Sequence, residues 1–142
     1  MAVSLVYLAI QVRQGTKTTR AEMLQQHSLS LQSTLLAIGS DAQASRVLNA
    51  GLRSWDDLSE EEQGQFSLMM SGTFQGFESM FHQHRSGLLQ EEMWQSYETC
   101  LRWYLARRGV RAWWKLAGHT WVSEQFGATI NELAVEFEGT DL

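Results

Sequence analysis

Few residues in this chain could do chemistry, and their spacing limits what each can do. His82 and His84 stand two positions apart. On a helix that turns their side chains about 200° from each other, so the pair cannot close on one metal ion. Glu78 and His82 are four apart and share a face. A di-metal bundle, however, needs Glu-x-x-His on two helices plus further inward carboxylates, and the chain carries no such pattern. His84 therefore reads as a residue at the edge of the core and His82 as a surface residue, while His27 and His119 are isolated. Cys100 is the single cysteine. It allows neither an intrachain disulfide nor a cysteine zinc set, and helical spacing puts it on the inward arc of its helix, a buried thiol with no base beside it. No serine sits in a G-x-S-x-G elbow and no glycine-rich loop could cradle a phosphate. Glu60, Glu61 and Glu62 open a helix, where the positive end of the backbone favours carboxylates without any metal. These patterns predict no cofactor, no metal site and no catalytic residue. An enzyme stays as a third reading, one that requires Cys100, His84 and Glu78 to converge on one polar pocket.

The segment Arg102–Lys115, "RWYLARRGVRAWWK", holds five basic residues, four aromatics and no acid. Such a set could stack on bases and meet phosphates. It could also sit at a lipid headgroup surface, the better supported of the two because the N-terminus independently points there. In the plainest case Trp113, Trp114 and either Trp103 or Tyr104 fill a core while the arginines are solvated or pair with the acidic helices. Arg107, Arg108, Arg111 and Trp114 are the candidate interface. The chain as a whole has a net charge of −5, unevenly divided. Residues 1–36 carry three basic residues against one acid, a net of +2, and the remainder carries eight against fifteen, a net of −7. An acidic body argues against general nucleic-acid binding.

The basic end adjoins a second feature. Residues 1–12, "MAVSLVYLAIQV", have no charge, and Arg13, Lys17 and Arg20 follow. Twelve helical residues rise about 18 Å, against about 30 Å for a bilayer core, so the stretch is too short to span alone. It lacks the basic lead and the small-residue cleavage site of a secretory signal. It reads either as the end of a span that starts upstream of Met1, or as an interfacial or core-docked apolar helix. The basic cluster behind it fits the cytoplasmic flank of a membrane segment. Leu5, Val6, Leu8, Ala9 and Val12 are then the membrane-facing residues, and Arg13, Lys17 and Arg20 the headgroup contacts.

Helices must position all of these. The chain has 142 residues, 44% of them apolar, and no proline, which suits one helical domain with a real core. The first helix continues past Gly15, where a kink is expected, with Met23, Leu24, Leu31, Leu35, Leu36 and Ile38 along one side, and ends at Gly39. The second runs over 41–53 with Ala44, Val47, Leu48 and Leu52 inward. Ser59 caps the third, with Glu62 completing a capping box. Phe66, Met70, Thr73, Phe77, Phe81 and His84 recur at helical spacing along it, widened by Met69, Phe74 and Met80. Gly64, Gly72 and Gly76 within it imply close approach by a neighbouring helix. Ser86–Gly87 is a turn that makes the fourth helix, about 90–107, antiparallel to the third, with Met93, Trp94, Tyr97, Leu101, Tyr104 and Leu105 inward. Gly109 is expected to stop it. A short fifth helix ends at Gly118. A final helix, about 123–137, aligns Phe126, Ile130, Leu133, Ala134 and Phe137, and residues 138–142 form a frayed polar tail.

"SLVYLAIQVRQGTKTTRAEMLQQ" resembles the exit from the membrane span in a group of small bacterial proteins, many from marine proteobacteria. "LSEEEQGQFSLMMSGTFQGFESMFHQHRSGLLQEEMWQSYETCLRWYLARRGVRAWW" is similar to the body of that group, with the "GLL" turn and "RAWW" its most specific parts. The likeness covers most of the chain. It implies a single-span, membrane-anchored helical protein, and it brings no activity, cofactor or catalytic residue with it. Members usually have a longer apolar N-terminus than this chain.

Together these readings predict an all-α protein, a long N-terminal helix (1–38) followed by a compact bundle of four to five helices (39–137). The function expected is a non-catalytic, membrane-associated interaction module at the bacterial inner membrane, with the bundle on the cytoplasmic side. Its partners would be lipid, a protein met through the N-terminal helix, or both, with no nucleic acid. The rival is a soluble cytoplasmic bundle that forms a homo-oligomer through that helix.

Overall fold

The computed structural model describes residues 2–140 and, of their side chains, all but those of 2–4, 28 and 31. Leu31, assigned above to an apolar side, lies outside the described side chains. The fold is all-α, with no strand among the described residues. The described residues form, in order, α1 (Ala2–Ser40), α2 (Ala42–Arg53), α3 (Glu60–Arg85), α4 (Glu91–Leu105), α5 (Arg108–Leu116) and α6 (Glu124–Val135), with a 3₁₀ turn (Gly118–Trp121) before the last. The helical hydrogen bonding of α1 runs unbroken through Gly15. The chain divides into two compact units, one through Leu36 and one from Ala37 onward.

Local sequence rules set most of the boundaries in the second unit. Asp41 caps α2 by accepting from the Ala44 amide at 2.9 Å. At α3 the Glu62 amide donates to Ser59 Oγ at 3.3 Å while Glu62 Oε2 accepts from the Ser59 amide at 3.0 Å, the reciprocal capping box. At the other end Gly87 adopts φ 72°, a left-handed conformation that costs glycine nothing. There the Leu88 amide reaches back to the Gln83 carbonyl at 2.9 Å, satisfying an orphan acceptor of the last turn. The α3–α4 pair is antiparallel. Phe81, late in α3, meets Trp94, early in α4, and Phe74 and Phe77 meet Tyr104 near the end of α4.

The core is built on α3, which packs against α2, α4 and the 3₁₀ turn, while α5 packs against α2 and α4 and α6 against α4. Phe66, Met70, Phe74, Met80, Leu101, Leu105, Val110, Trp113, Phe126 and Ile130 are fully buried. Phe74 is the hub of the aromatic packing, edge-on to Trp113 at 5.2 Å between centroids and stacked on Trp114 at 5.8 Å. Such ring pairs add about 0.5–1.5 kcal/mol each beyond area burial.

Three glycines act differently from expectation. Gly109 does not stop α4, which already ends at Leu105; it is buried in the first turn of α5. A methyl group there would overlap the Gly51 carbonyl oxygen and lie 2.9 Å from its carbon. Gly64 and Gly72 have open space where a side chain would be. They therefore do not mark a close helix crossing, which falls at Gly51 and Gly109 instead. The tail also departs from expectation through Thr140. Residues 136–139 continue as turns, and Arg111 Nη2 donates to the Thr140 carbonyl. Residues 141 and 142 lie outside the described residues.

Candidate functional site

The first candidate surface is the start of α1. Leu5, Leu8 and Val12 are 68%, 56% and 62% exposed, and Val6, Tyr7, Ala9 and Ile10 are exposed as well. At 100° per residue these positions go all the way round the helix, so the segment is an apolar sleeve rather than a stripe. Arg13 and Lys17 are exposed directly behind it, and Arg20 is half-buried. Among the described residues, no helix is long and apolar enough to cross a membrane.

The second candidate surface is the basic-aromatic segment, which the fold distributes among several partners. Arg102 is held by Glu98 at 2.9 Å and by Glu136 at 3.1 Å. Arg107 lies over the Trp103 ring, 4.4 Å from its centroid, a cation–π contact. With Asn49, Leu52 and Arg53 these two line a shallow hollow of about 460 Å³. Trp113 donates to Ser67 Oγ at 3.1 Å. Two of the four proposed interface residues turn inward. Trp114 is only 3% exposed and donates to Asn131 Oδ1 at 2.8 Å. Arg111 directs Nη1 to the Leu105 and Ala106 carbonyls, the free C-terminal end of α4, and Nη2 to Thr140. Both therefore act first as internal braces, because buried indole and guanidinium N–H groups need acceptors.

Arg108, Arg111, Trp114 and Lys115 nevertheless meet along one cavity of about 490 Å³, closed on the other side by Ala134 of α6 and the 138–140 turn. Sequence spacing puts Arg108, Arg111 and Lys115 on one side of their helix; it gives no sign that Glu138 and the tail would join them. Their approach depends on where α6 docks.

The three groups required for an enzyme reading have different partners. His84 Nε2 meets Glu91 Oε2 at 2.6 Å, and its ring stacks on Trp94 at 5.4 Å and 16°. That hydrogen bond from His84 holds the Glu91 carboxyl below the ordinary glutamate value. Cys100 is exposed, not buried as its helical position suggested. Glu78 accepts from the Ser123 amide at 2.7 Å, and Glu78 Oε1 lies 3.5 Å from His82 Nε2. Partial burial works to raise the Glu78 carboxyl, but the hydrogen bonds from Ser123 and His82 outweigh it and leave it below the ordinary value. Ser123 Oγ is also 3.4 Å from His82 Nε2. Serine, histidine and glutamate thus adjoin, a cluster not anticipated from spacing. The geometry is not that of a proton relay, which needs the acid on one ring nitrogen and the hydroxyl on the other. Here both lie against Nε2, and Ser123 Oγ also accepts from the Phe126 amide as the cap of α6. Among the described residues no group of three metal-binding side chains gathers.

Comparison with protein families, curated proteins and solved structures finds no match to this chain.

Proposed function

We propose that the protein is a membrane-associated helical interaction module whose N-terminal helix enters the lipid interface. The observation that carries this reading is the exposure of Leu5, Val6, Leu8, Ala9 and Val12 on a helix with Arg13 and Lys17 directly behind them. Large apolar side chains gain about 1.5–3 kcal/mol each on full transfer from water. Cations next to an anionic leaflet add about 1 kcal/mol each. For an interfacial helix, binding strength scales with the apolar area buried plus the attraction to anionic lipids, and this segment offers both. The bundle, with its partner, would then lie on the cytoplasmic side of a bacterial inner membrane, the side that the basic flank favours. No catalytic step is part of this reading.

The same exposed residues support a second reading, a homo-oligomer formed through α1 without lipid. Flotation of the full chain with vesicles of phosphatidylcholine and phosphatidylglycerol separates the two. The membrane reading expects co-flotation, lost in a Leu5→Ser/Leu8→Ser/Val12→Ser variant. A chain that stays with the soluble fraction as a discrete oligomer, dissolved by the same variant, overturns it in favour of the second.

A further inference from the structure

We infer that the cavity between α5 and the 138–140 turn is a binding site for a phosphomonoester with a small apolar body. This site belongs wholly to the second unit and is independent of the lipid reading of α1.

Charge is the first argument. An acidic chain places five of its eleven lysines and arginines within Arg102–Lys115. Arg102 is neutralised by two glutamates and Arg107 is stacked on Trp103. Arg108 and Lys115 are exposed and have no ion pair or hydrogen-bond partner among the described residues. Arg111, between them, has three of its five N–H groups on carbonyls, which leaves two for a ligand. α5 also begins with cations and without a side-chain cap or an acid in its first turn. Cations at the positive end of a helix are unfavourable unless an anion offsets them.

Geometry selects the class of anion. Arg108, Arg111 and Lys115 are three and four residues apart, so all three cations project from one wall of the cavity in successive turns. Glu138 lies on the other wall. The local sum is +2 at neutral pH, matched by the charge of about −1.5 to −2 on a phosphomonoester. A dicarboxylate carries similar charge but divides it between two groups, whereas the three cations share one side of α5. Ala112, Ala134 and the edge of Trp114 supply an apolar floor beside the cations. The volume, about 490 Å³, is that of a small-molecule site. The ester could belong to a soluble metabolite or to a lipid headgroup, since the recognised chemistry is the same.

The test is calorimetric titration of the full chain with phenyl phosphate at neutral pH and low salt. The expected result is saturable one-to-one binding, weakened about tenfold or more in Arg108→Gln/Lys115→Gln. Glu138→Gln should tighten it, a gain that a merely damaged fold would not produce. Arg53→Gln, away from the cavity, should leave it unchanged. Adding phosphatidic acid to phosphatidylcholine vesicles then separates the sources. Extra recruitment, competed by phenyl phosphate and lost in the double variant, assigns a lipid headgroup; its absence, with phenyl phosphate bound, assigns a soluble ester. No saturable binding in either arm, or equal binding by the double variant, overturns the proposal.

Discussion

Gly109 rests on Gly51 backbone to backbone, with no side chain between α5 and α2 at that point. The neighbour is a carbonyl group in a hydrogen-bonded helix, which cannot swing away as a long side chain could. Gly109→Ala should therefore cost at least the 1–3 kcal/mol, roughly, of overpacking. Gly64→Ala and Gly72→Ala, with open space around them, should gain up to about 1 kcal/mol from helix propensity. Urea unfolding of the three variants would show the opposite signs.

Arg111 braces the end of α4 and the tail through carbonyls of Leu105, Ala106 and Thr140. Hydrogen bonds from a charged donor contribute about 1.5–3 kcal/mol each at most when partly buried. Arg111→Ala should lower stability by about 2 kcal/mol or more, and amide exchange should quicken first around residues 105–107 and 137–140. Arg111→Lys should rescue little, because one ammonium cannot reproduce the planar fork.

Acid should destabilise the fold through several carboxylates held below the ordinary glutamate value of 4.5. These are Glu62 through the Ser59 amide, Glu91 through His84, Glu136 through Arg102, and Glu78, where bonds to Ser123 and His82 prevail over burial. A depressed carboxyl stabilises the fold above its unfolded value, and that stability goes as pH falls through the folded value. His27, lowered from 6.5 by burial, gives a loss of the same sign beginning at higher pH. Thermal midpoints should thus decline gently below pH 6.5 and more steeply below 4.5. Glu78→Gln should flatten the lower part of the curve.

The α1 sleeve should be separable from bundle stability. Leu5, Leu8 and Val12 are exposed, so replacing all three with serine should shift the main unfolding transition by less than about 0.5 kcal/mol. The change should appear in lipid binding or self-association instead. A large loss of stability would mean that the sleeve is part of the fold.

What the sequence made legible was local. The capping box at Ser59 and Glu62, the left-handed Gly87 and the inward line of α3 follow from rules spanning four residues or fewer, and the structure keeps them. The same local rule that makes glycine a helix stop misplaces Gly109, whose actual role exists only once Gly51 is beside it. Cys100 is one position from buried Leu101, and about 100° of rotation takes it out to solvent. The partners Asn131, Ser123 and Thr140 were invisible for a similar reason, since each meets its donor or acceptor from another element. The candidate cavity was half legible: its cations lie close in sequence, but its opposite wall does not.

The Gly51–Gly109 seam also bears on the order of assembly. The α3–α4 hairpin closes through a short turn and brings Phe81 to Trp94, both near that turn, so the entropy lost in forming it is small. The seam joins positions separated by the whole of α3 and α4. Joining such distant positions costs more loop-closure entropy than forming the hairpin, so the seam is expected to close later. Kinetically, substitutions at Phe81 and Trp94 should slow folding, and those at Gly51 and Gly109 should hasten unfolding. The nucleus and the latch of this bundle then lie in different helix pairs.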